Sequence, residues 1–389
     1  MSDTAERVLL EALDTVASPA SLDVDALCRQ HPKHASELRR TYRAMRRTED
    51  VLAGLAEGTA ERESIAWLAA ELEGGRDSKS YVVLESVARG GMGELHAVWD
   101  RLLQRRLAMK VLAPGESGTA EGARLERFVE EARVTARLQH PSIVSVHDIG
   151  RDKRGLPYFT MPLVEGQSLD ELIPLARAGA GGWSLARAVG ALQRVCEAVA
   201  YAHGQGVIHR DLKPSNVMVG PFGETYVVDW GLATKVEPDS PDDEASAGDS
   251  KHRLTERGWT LEGEVLGTPA FMAPEQAEGR RAEIGPLVDV YAAGAVLYQL
   301  LSGARPYEVP GESSSAAEVL AMVRRGPPAS VIAIDRAAPA ELVSICERAM
   351  ARDPGGRYSS MMSMVHDLRA WVEGRVVRAH RTGVLVELV

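Results

Sequence analysis

The sequence is poor in cysteine, has no block of basic residues and contains no long uninterrupted apolar run. Each absence removes a class of function. Cys28, Cys196 and Cys346 stand far apart and lack the CxxC spacing of a zinc or redox site, so they read as reduced thiols. The net charge of -10 with no basic cluster argues against a nucleic-acid partner. The longest apolar stretch, from Val290 to Leu301, includes Gln299 and falls well short of the ~20 residues a membrane span needs. The opening MSDTAERVLLEALDT lacks the basic start and apolar stretch of a secretory signal, so a cytoplasmic location is expected.

What remains is the composition of a soluble globular protein, 45% apolar and 26% charged. Residues 1–75 are rich in Ala, Leu, Glu and Arg, and Leu38, Tyr42, Met45, Leu52 and Leu55 recur at roughly helical spacing. Breakers at Ser18-Pro19 and Pro32 divide this accessory segment into helices, and the Gly-rich stretch beginning at Gly74 leads into a linker over 76–80. From Tyr81 the texture changes to short strand patterns, YVVLESVA, GELHAVWD and RLAMKVL, followed by a helical pattern from Ala123 to Leu138. SIVSVHDIG and YFTMPLV also read as strands. Long helical patterns then cover 185–203, 287–302 and 338–350. This is a two-lobed α+β arrangement. The stretch EPDSPDDEASAGDS at 237–250 has the composition of a disordered segment.

Chemistry enters with Ala88-Arg89-Gly90-Gly91-Met92-Gly93 between two strand patterns. Glycines there let backbone N–H groups close over phosphates, although a glycine-rich hairpin is also a common structural turn. Lys110 follows on an otherwise apolar strand pattern. A cation in so poorly solvated a place needs a partner, and Glu131 on the next helix is the candidate. The decisive segment is His209-Arg210-Asp211-Leu212-Lys213-Pro214-Ser215-Asn216, with Asp229-Trp230-Gly231 after it.

In that order these segments resemble the eukaryotic-type (Hanks-type) serine/threonine protein kinase family, particularly its bacterial branch. The resemblance runs from Tyr81 to about Val376 and extends through Ala273-Pro274-Glu275, Asp289 and Arg357. It implies an antiparallel N-lobe sheet with one helix over 81–161, a hinge at 162–165, a mainly helical C-lobe over 166–376, and a tail at 377–389. It also implies ATP and Mg²⁺ as cofactors, with protein Ser/Thr hydroxyls as acceptors. Lys110 would contact the α/β-phosphates and be held by Glu131; Asn216 and Asp229 would bind Mg²⁺; Asp211 would accept the hydroxyl proton; Lys213 would stabilise the transferring phosphate. Val87, Ala88, Gly90, Gly91, Gly93, Leu95, Ala108, Met161, Pro162 and Val164 would surround the nucleotide. Glu275 and Arg357 would form a buried ion pair, Asp289 would hold the catalytic loop, and the Thr268 hydroxyl would bridge Asp211 and Lys213.

The sequence departs from the family pattern at three places. Ala88 stands for the first loop glycine, Pro162 removes an N–H at the start of the hinge, and Trp230 replaces the usual Phe. The stretch from Asp229 to Glu275 is long and encloses the acidic segment. Arg210 beside Asp211 suggests regulation by phosphorylation there, with Thr255 and Thr260 ahead of Ser250 as candidates. Dimerisation for trans-autophosphorylation is compatible with this pattern. Two other readings are open on the residues alone: a pseudokinase scaffold, and an adaptor whose working part is residues 1–75.

Overall fold

The computed structural model describes residues 12, 24–35, 38–39, 42, 80–89, 93–113, 119–152, 154–235, 268–308 and 314–380. Met45, Leu52, Leu55, linker residues 76–79, Gly90, Gly91, the acidic stretch, Ser250, Thr255, Thr260 and residues 381–389 lie outside these. The chain forms two units, Met1–Gly74 and Gly75–Val389. In the first, helix α1 (Val24–Gln30) and a short 3₁₀ turn bring Cys28 and Leu38 into a small core with Val24, Leu27, Ala35 and Tyr42 beside it.

The second unit opens with strands β1 (Tyr81–Arg89), β2 (Gly93–Asp100) and β3 (Arg105–Leu112), then helix α2 (Thr119–Arg137), β4 (Asp148–Arg151) and β5 (Pro157–Pro162). All neighbours pair antiparallel in the order β1-β2-β3-β5-β4. Alternation in these strands puts Val98, Leu107, Met109, Val111 and Tyr158 on one face, where they form a core with Tyr81. The α2 helix begins at Thr119, ahead of the expected Ala123, and so carries Gly122 near its start.

Beyond the hinge a three-stranded sheet, β6 (Gln167–Ser168), β8 (Val217–Val219) and β9 (Thr225–Val227), and a β7–β10 pair (Val207–Ile208, Thr234–Lys235) carry the loops. The longer helices are α3 (Leu169–Ala178), α4 (Leu185–Gly204), α5 (Leu287–Ser302), α6 (Ala316–Arg325), α7 (Ala340–Ala349) and α8 (Met361–Val372). Their starts are written in the sequence. Ser168 with Glu171, and Ser315 with Glu318, form reciprocal capping boxes, and Ser184 caps α4. The apolar run at 290–301 is α5, buried on every side from Val288 to Ser302, which explains its composition without a membrane. Among the described residues no helix is long and apolar enough to cross one.

The packed chain continues past residue 376. Val377 is buried, and the buried Asp367 carboxylate accepts the Tyr358 hydroxyl at 2.8 Å and the backbone N–H groups of Arg378 and Ala379 at 3.0 Å each. Glu275 and Arg357 form the expected bidentate ion pair, both contacts 2.7 Å and both side chains fully buried.

Candidate active site

Lys110 lies mid-sheet, opposite Leu95 of β2 and Phe159 of β5, with apolar neighbours along its own strand. Its ammonium meets Glu131 Oε1 at 2.5 Å and Asp229 Oδ1 at 3.3 Å. Burial works against the charge of Lys110, but Glu131 and Asp229 outweigh it and hold its pKa above the ordinary lysine value. Burial likewise pushes the Asp229 carboxyl upward, yet Lys110 and His209 bring the net shift below the usual range, so the group is ionised at neutral pH. Its side chain remains 48% exposed, toward the cavity.

The loop between β7 and β8 carries the second group. Lys213 Nζ donates to Asp211 Oδ2 at 2.7 Å. The Asn216 amide nitrogen donates to Asp211 Oδ2 at 3.3 Å and to its backbone carbonyl at 3.0 Å. Both bonds to the carboxylate fall on Oδ2, and among the described residues no hydrogen bond engages Oδ1. The loop is fastened from below by fully buried Asp289, whose oxygens accept the backbone N–H groups of His209 and Arg210, each at 2.8 Å, and His203 Nε2 at 2.8 Å. These bonds hold Arg210 at φ +68°, a left-handed conformation costly for an arginine. Asp229 is also left-handed, at φ +62°, which aspartate tolerates better. Val228 donates its N–H to the Asn216 carbonyl at 2.9 Å, tying the two loops together.

These elements enclose a cavity of about 490 Å³, of a size that takes a small molecule. Of the residues singled out by sequence, Ala88, Gly93, Leu95, Lys110, Glu131, Met161, Asp211, Lys213, Asn216 and Asp229 line it. Val87, Ala108, Pro162 and Val164 are not among its described lining residues. Ala108 pairs with Ala97 and Met161 on the same face of the sheet as Lys110, and Pro162 ends β5 opposite Leu107. Gly93 has a steric reason: a Cβ there would come within 2.3 Å of the Val111 carbonyl oxygen.

Thr268 also lines the cavity, but among the described residues no hydrogen bond joins its hydroxyl to Asp211 or Lys213. Lys213 reaches Asp211 directly, so the expected bridge is replaced by a direct ion pair. Sequence reading missed Thr135, Val144, Phe159, Val228 and Leu232 in the lining; Thr135 is four residues beyond Glu131, one helical turn, and that spacing was the available signal. It also missed Gln276, whose amide donates to the Arg210 carbonyl at 3.3 Å, for which no local signal exists. Trp230 is buried against His209, ring centroids 4.6 Å apart.

Comparison with known proteins gives the family. The chain is similar to the serine/threonine-protein kinase PknD of Protochlamydia amoebophila, 34% identical over 307 residues that cover 77% of this chain and 30% of that protein. It is similar to PknD of Chlamydia trachomatis at 34% (76% of this chain, 32% of that protein) and to PknD of Chlamydia pneumoniae at 32% (76% and 31%). The chain thus spans about a third of the length of these relatives. A family model described as the protein kinase domain matches residues 81–368, most of the chain. On that match, and on motifs in the order kinases carry them, the chain belongs to the protein kinase family, of the eukaryotic-type serine/threonine kind found in bacteria.

Proposed function

We propose that the chain is an ATP- and Mg²⁺-dependent kinase that transfers the γ-phosphoryl group of ATP to serine or threonine hydroxyls of proteins. The observation that carries this reading is one cavity holding both halves of the chemistry: the Lys110–Glu131 pair beside Asp229, and Asp211 braced by Lys213 and Asn216. Phosphoryl transfer asks little covalent chemistry of a protein and much positioning.

The donor set suits Mg²⁺. Asp229 presents a carboxylate, and Asn216 commits its amide nitrogen to Asp211, which leaves its carbonyl oxygen for a cation. Among the described residues no group of three or more His, Cys, Asp or Glu could hold a metal alone. Two oxygen ligands completed by substrate phosphates are the manner in which Mg²⁺ is usually held. When bound, the ion would neutralise phosphate charge.

Lys110, kept cationic by its two carboxylates, would grip the α/β-phosphates. Asp211 would orient the acceptor hydroxyl and take its proton at Oδ1 as the hydroxyl oxygen bonds to the γ-phosphorus. The bond from that phosphorus to the β-phosphate oxygen breaks and ADP leaves. Lys213 would balance charge on the moving group. Lysine at 213 favours Ser/Thr over Tyr acceptors. Arg210 supports autophosphorylation at Thr255 or Thr260, with Ser250 third: it is a largely buried cation that contacts Thr234 Oγ1 and keeps a buried Nε without a partner among the described residues. Trans-phosphorylation between two copies, in the cytoplasm where ATP is made available, belongs to the same reading.

Radiolabelled ATP with Mg²⁺ tests it, with the chain itself and a generic basic protein as acceptors. Asp211→Asn should lower transfer by about 10²–10⁴-fold, as loss of a general base does, and Lys110→Met should abolish it. The label should appear on phosphoserine or phosphothreonine. No transfer by the wild type despite measurable ATP binding would replace this reading with the pseudokinase.

A further inference from the structure

A second cavity, of about 480 Å³, lies on the C-lobe between Gly166 at the end of the hinge, Trp183 and Arg187 before and within α4, and Pro221 in the β8–β9 turn. The Arg187 guanidinium lies 4.2 Å from the Trp183 ring centroid, and its Nη1 donates to the Gly182 carbonyl at 2.9 Å. Stacking and that one bond fix the group; no acceptor among the described residues takes its Nε or Nη2. A guanidinium fixed in this way is prepared for a planar oxyanion, with little rotamer freedom left to lose.

Three of the nine residues lining the groove, Gly166, Gly181 and Gly220, carry no side chain. A Cβ on Gly166 would come within 2.2 Å of the Val219 carbonyl oxygen, so no side chain fits there, and Gly181 and Gly182 hold left-handed φ of +60° and +73°. Such walls admit an extended chain close to main-chain groups. Glu165 also lines the groove, its carboxylate engaged by Arg106 at 3.1 Å, and the Glu224 carboxylate lies against Gly220 where it accepts the Phe222 N–H; Arg187 is the cation among the lining residues.

Beside Pro221, Phe222 is 91% exposed. Its position is not a loose end. The Phe222 N–H donates to Glu224 Oε2 at 3.0 Å, and Arg194 fastens the turn through Gly223 O and Thr225 Oγ1, each at 3.1 Å. An exposed aromatic ring one residue beyond the groove wall at Pro221, on a turn whose backbone is fastened, is with the stacked guanidinium the makeup of an interaction surface.

We propose that this groove docks an extended segment of a partner protein in which a carboxylate side chain pairs with Arg187 and an adjacent aromatic or aliphatic side chain packs on Phe222. The inference rests on the protein kinase reading only in naming the partner: a protein acceptor held away from the phosphate site, with its target hydroxyl left free to reach Asp211.

The test uses a fluorescein-labelled random copolymer of glutamate and tyrosine, which carries no Ser or Thr and so is not consumed. Fluorescence anisotropy on the full chain should show saturable binding that a lysine–tyrosine copolymer does not reproduce. Arg187→Ala and Phe222→Ala should each weaken it by at least about tenfold, the scale of an interface hot spot. Arg187→Lys, which keeps the charge but loses the fork, should weaken it as well. Asp211→Asn should bind as the wild type does, so a failure of the kinase reading, seen in the transfer assay, is distinguishable from a failure here. Transfer to the generic basic protein should be unchanged in the Arg187 and Phe222 variants, which also reports that they fold. Absence of saturable binding, or wild-type affinity in either alanine variant, overturns the proposal.

Discussion

Asp289→Asn is the substitution that most directly separates the positioning of Asp211 from the binding of nucleotide. The native carboxylate is fully buried and accepts three hydrogen bonds, from the His209 and Arg210 N–H groups and from His203. Asparagine keeps the shape but replaces one acceptor oxygen with a donor, so at least one N–H of the loop is left unpaired. Losing a hydrogen bond to a charged group costs about 1.5–3 kcal/mol, and an orphaned buried donor about 1–3 kcal/mol more. Relaxation of Arg210 from its left-handed φ returns part of that, on the order of 1 kcal/mol. The net expectation is a loss of roughly 2–4 kcal/mol, read as a lower urea midpoint at unchanged slope. With Lys110 and Asp229 untouched, KM for ATP should hold while kcat falls by about 10–100-fold. The effect is also pH-dependent. Burial pushes the Asp289 carboxyl up, but hydrogen bonds and charge from His203 and His209 leave its pKa below the ordinary value. Its contribution is therefore complete above the unfolded value of about 4 and is lost as pH falls through the lower folded value, where wild type and variant should converge. A variant with wild-type kcat and wild-type stability at pH 7 refutes the reasoning.

Other substitutions probe the remaining contacts. Arg357→Met leaves Glu275 as an uncompensated buried charge and should cost about 3–5 kcal/mol, roughly 5–8 °C in Tm for a domain this large, with Glu275→Leu in the same chain recovering most of it by calorimetry. Asp367→Ala frees the Tyr358 hydroxyl and two N–H groups at once; hydrogen exchange should show the amides of Arg378 and Ala379 losing protection while those of α5 keep theirs. Glu131→Gln removes one of the two carboxylates that raise the Lys110 pKa against burial, so Lys110 should acylate faster at pH 8 and KM for ATP should rise about tenfold.

Much of this arrangement was legible in the sequence because its signals are local. Strand patterns marked β1, β2, β3 and β5, and long helical patterns marked α4, α5 and α7. SIVSVHDIG misled in part. Only Asp148–Arg151 joins the N-lobe sheet, while Ile143 bridges to Val227 and Ser142 accepts the Val227 N–H, so the first half of that apolar stretch serves the C-lobe loops. Asp289 beneath His209, eighty positions away, was legible only through family resemblance, since no periodicity links them. Gln276 on the Arg210 carbonyl and the groove beside Arg187 were illegible for the same reason: each depends on where distant turns meet.

The places where local preference is overruled also mark the site. Among the described residues seven buried side-chain polar atoms lack a protein partner, and four of them, Glu131 Oε2, His209 Nε2, Arg210 Nε and Trp230 Nε1, belong to the helix and loops around the catalytic cavity. His209 Nδ1 accepts the Asp211 N–H, which puts the proton of a neutral ring on Nε2. Two N–H donors, those of His209 and Trp230, are therefore buried in contact with no acceptor among the described residues. A buried donor left without an acceptor opposes folding by about 1–3 kcal/mol, and a left-handed arginine adds to that. A loop carrying these costs does not hold itself. Its geometry is imposed by the C-lobe core, through Asp289 on α5 and the Trp230 ring inside the core, so rigidity at Asp211 is a property of that core and not of the HRD segment. Damage to α5 packing should accordingly reach Asp211 before it reaches Lys110, whose place is fixed by the separate N-lobe sheet.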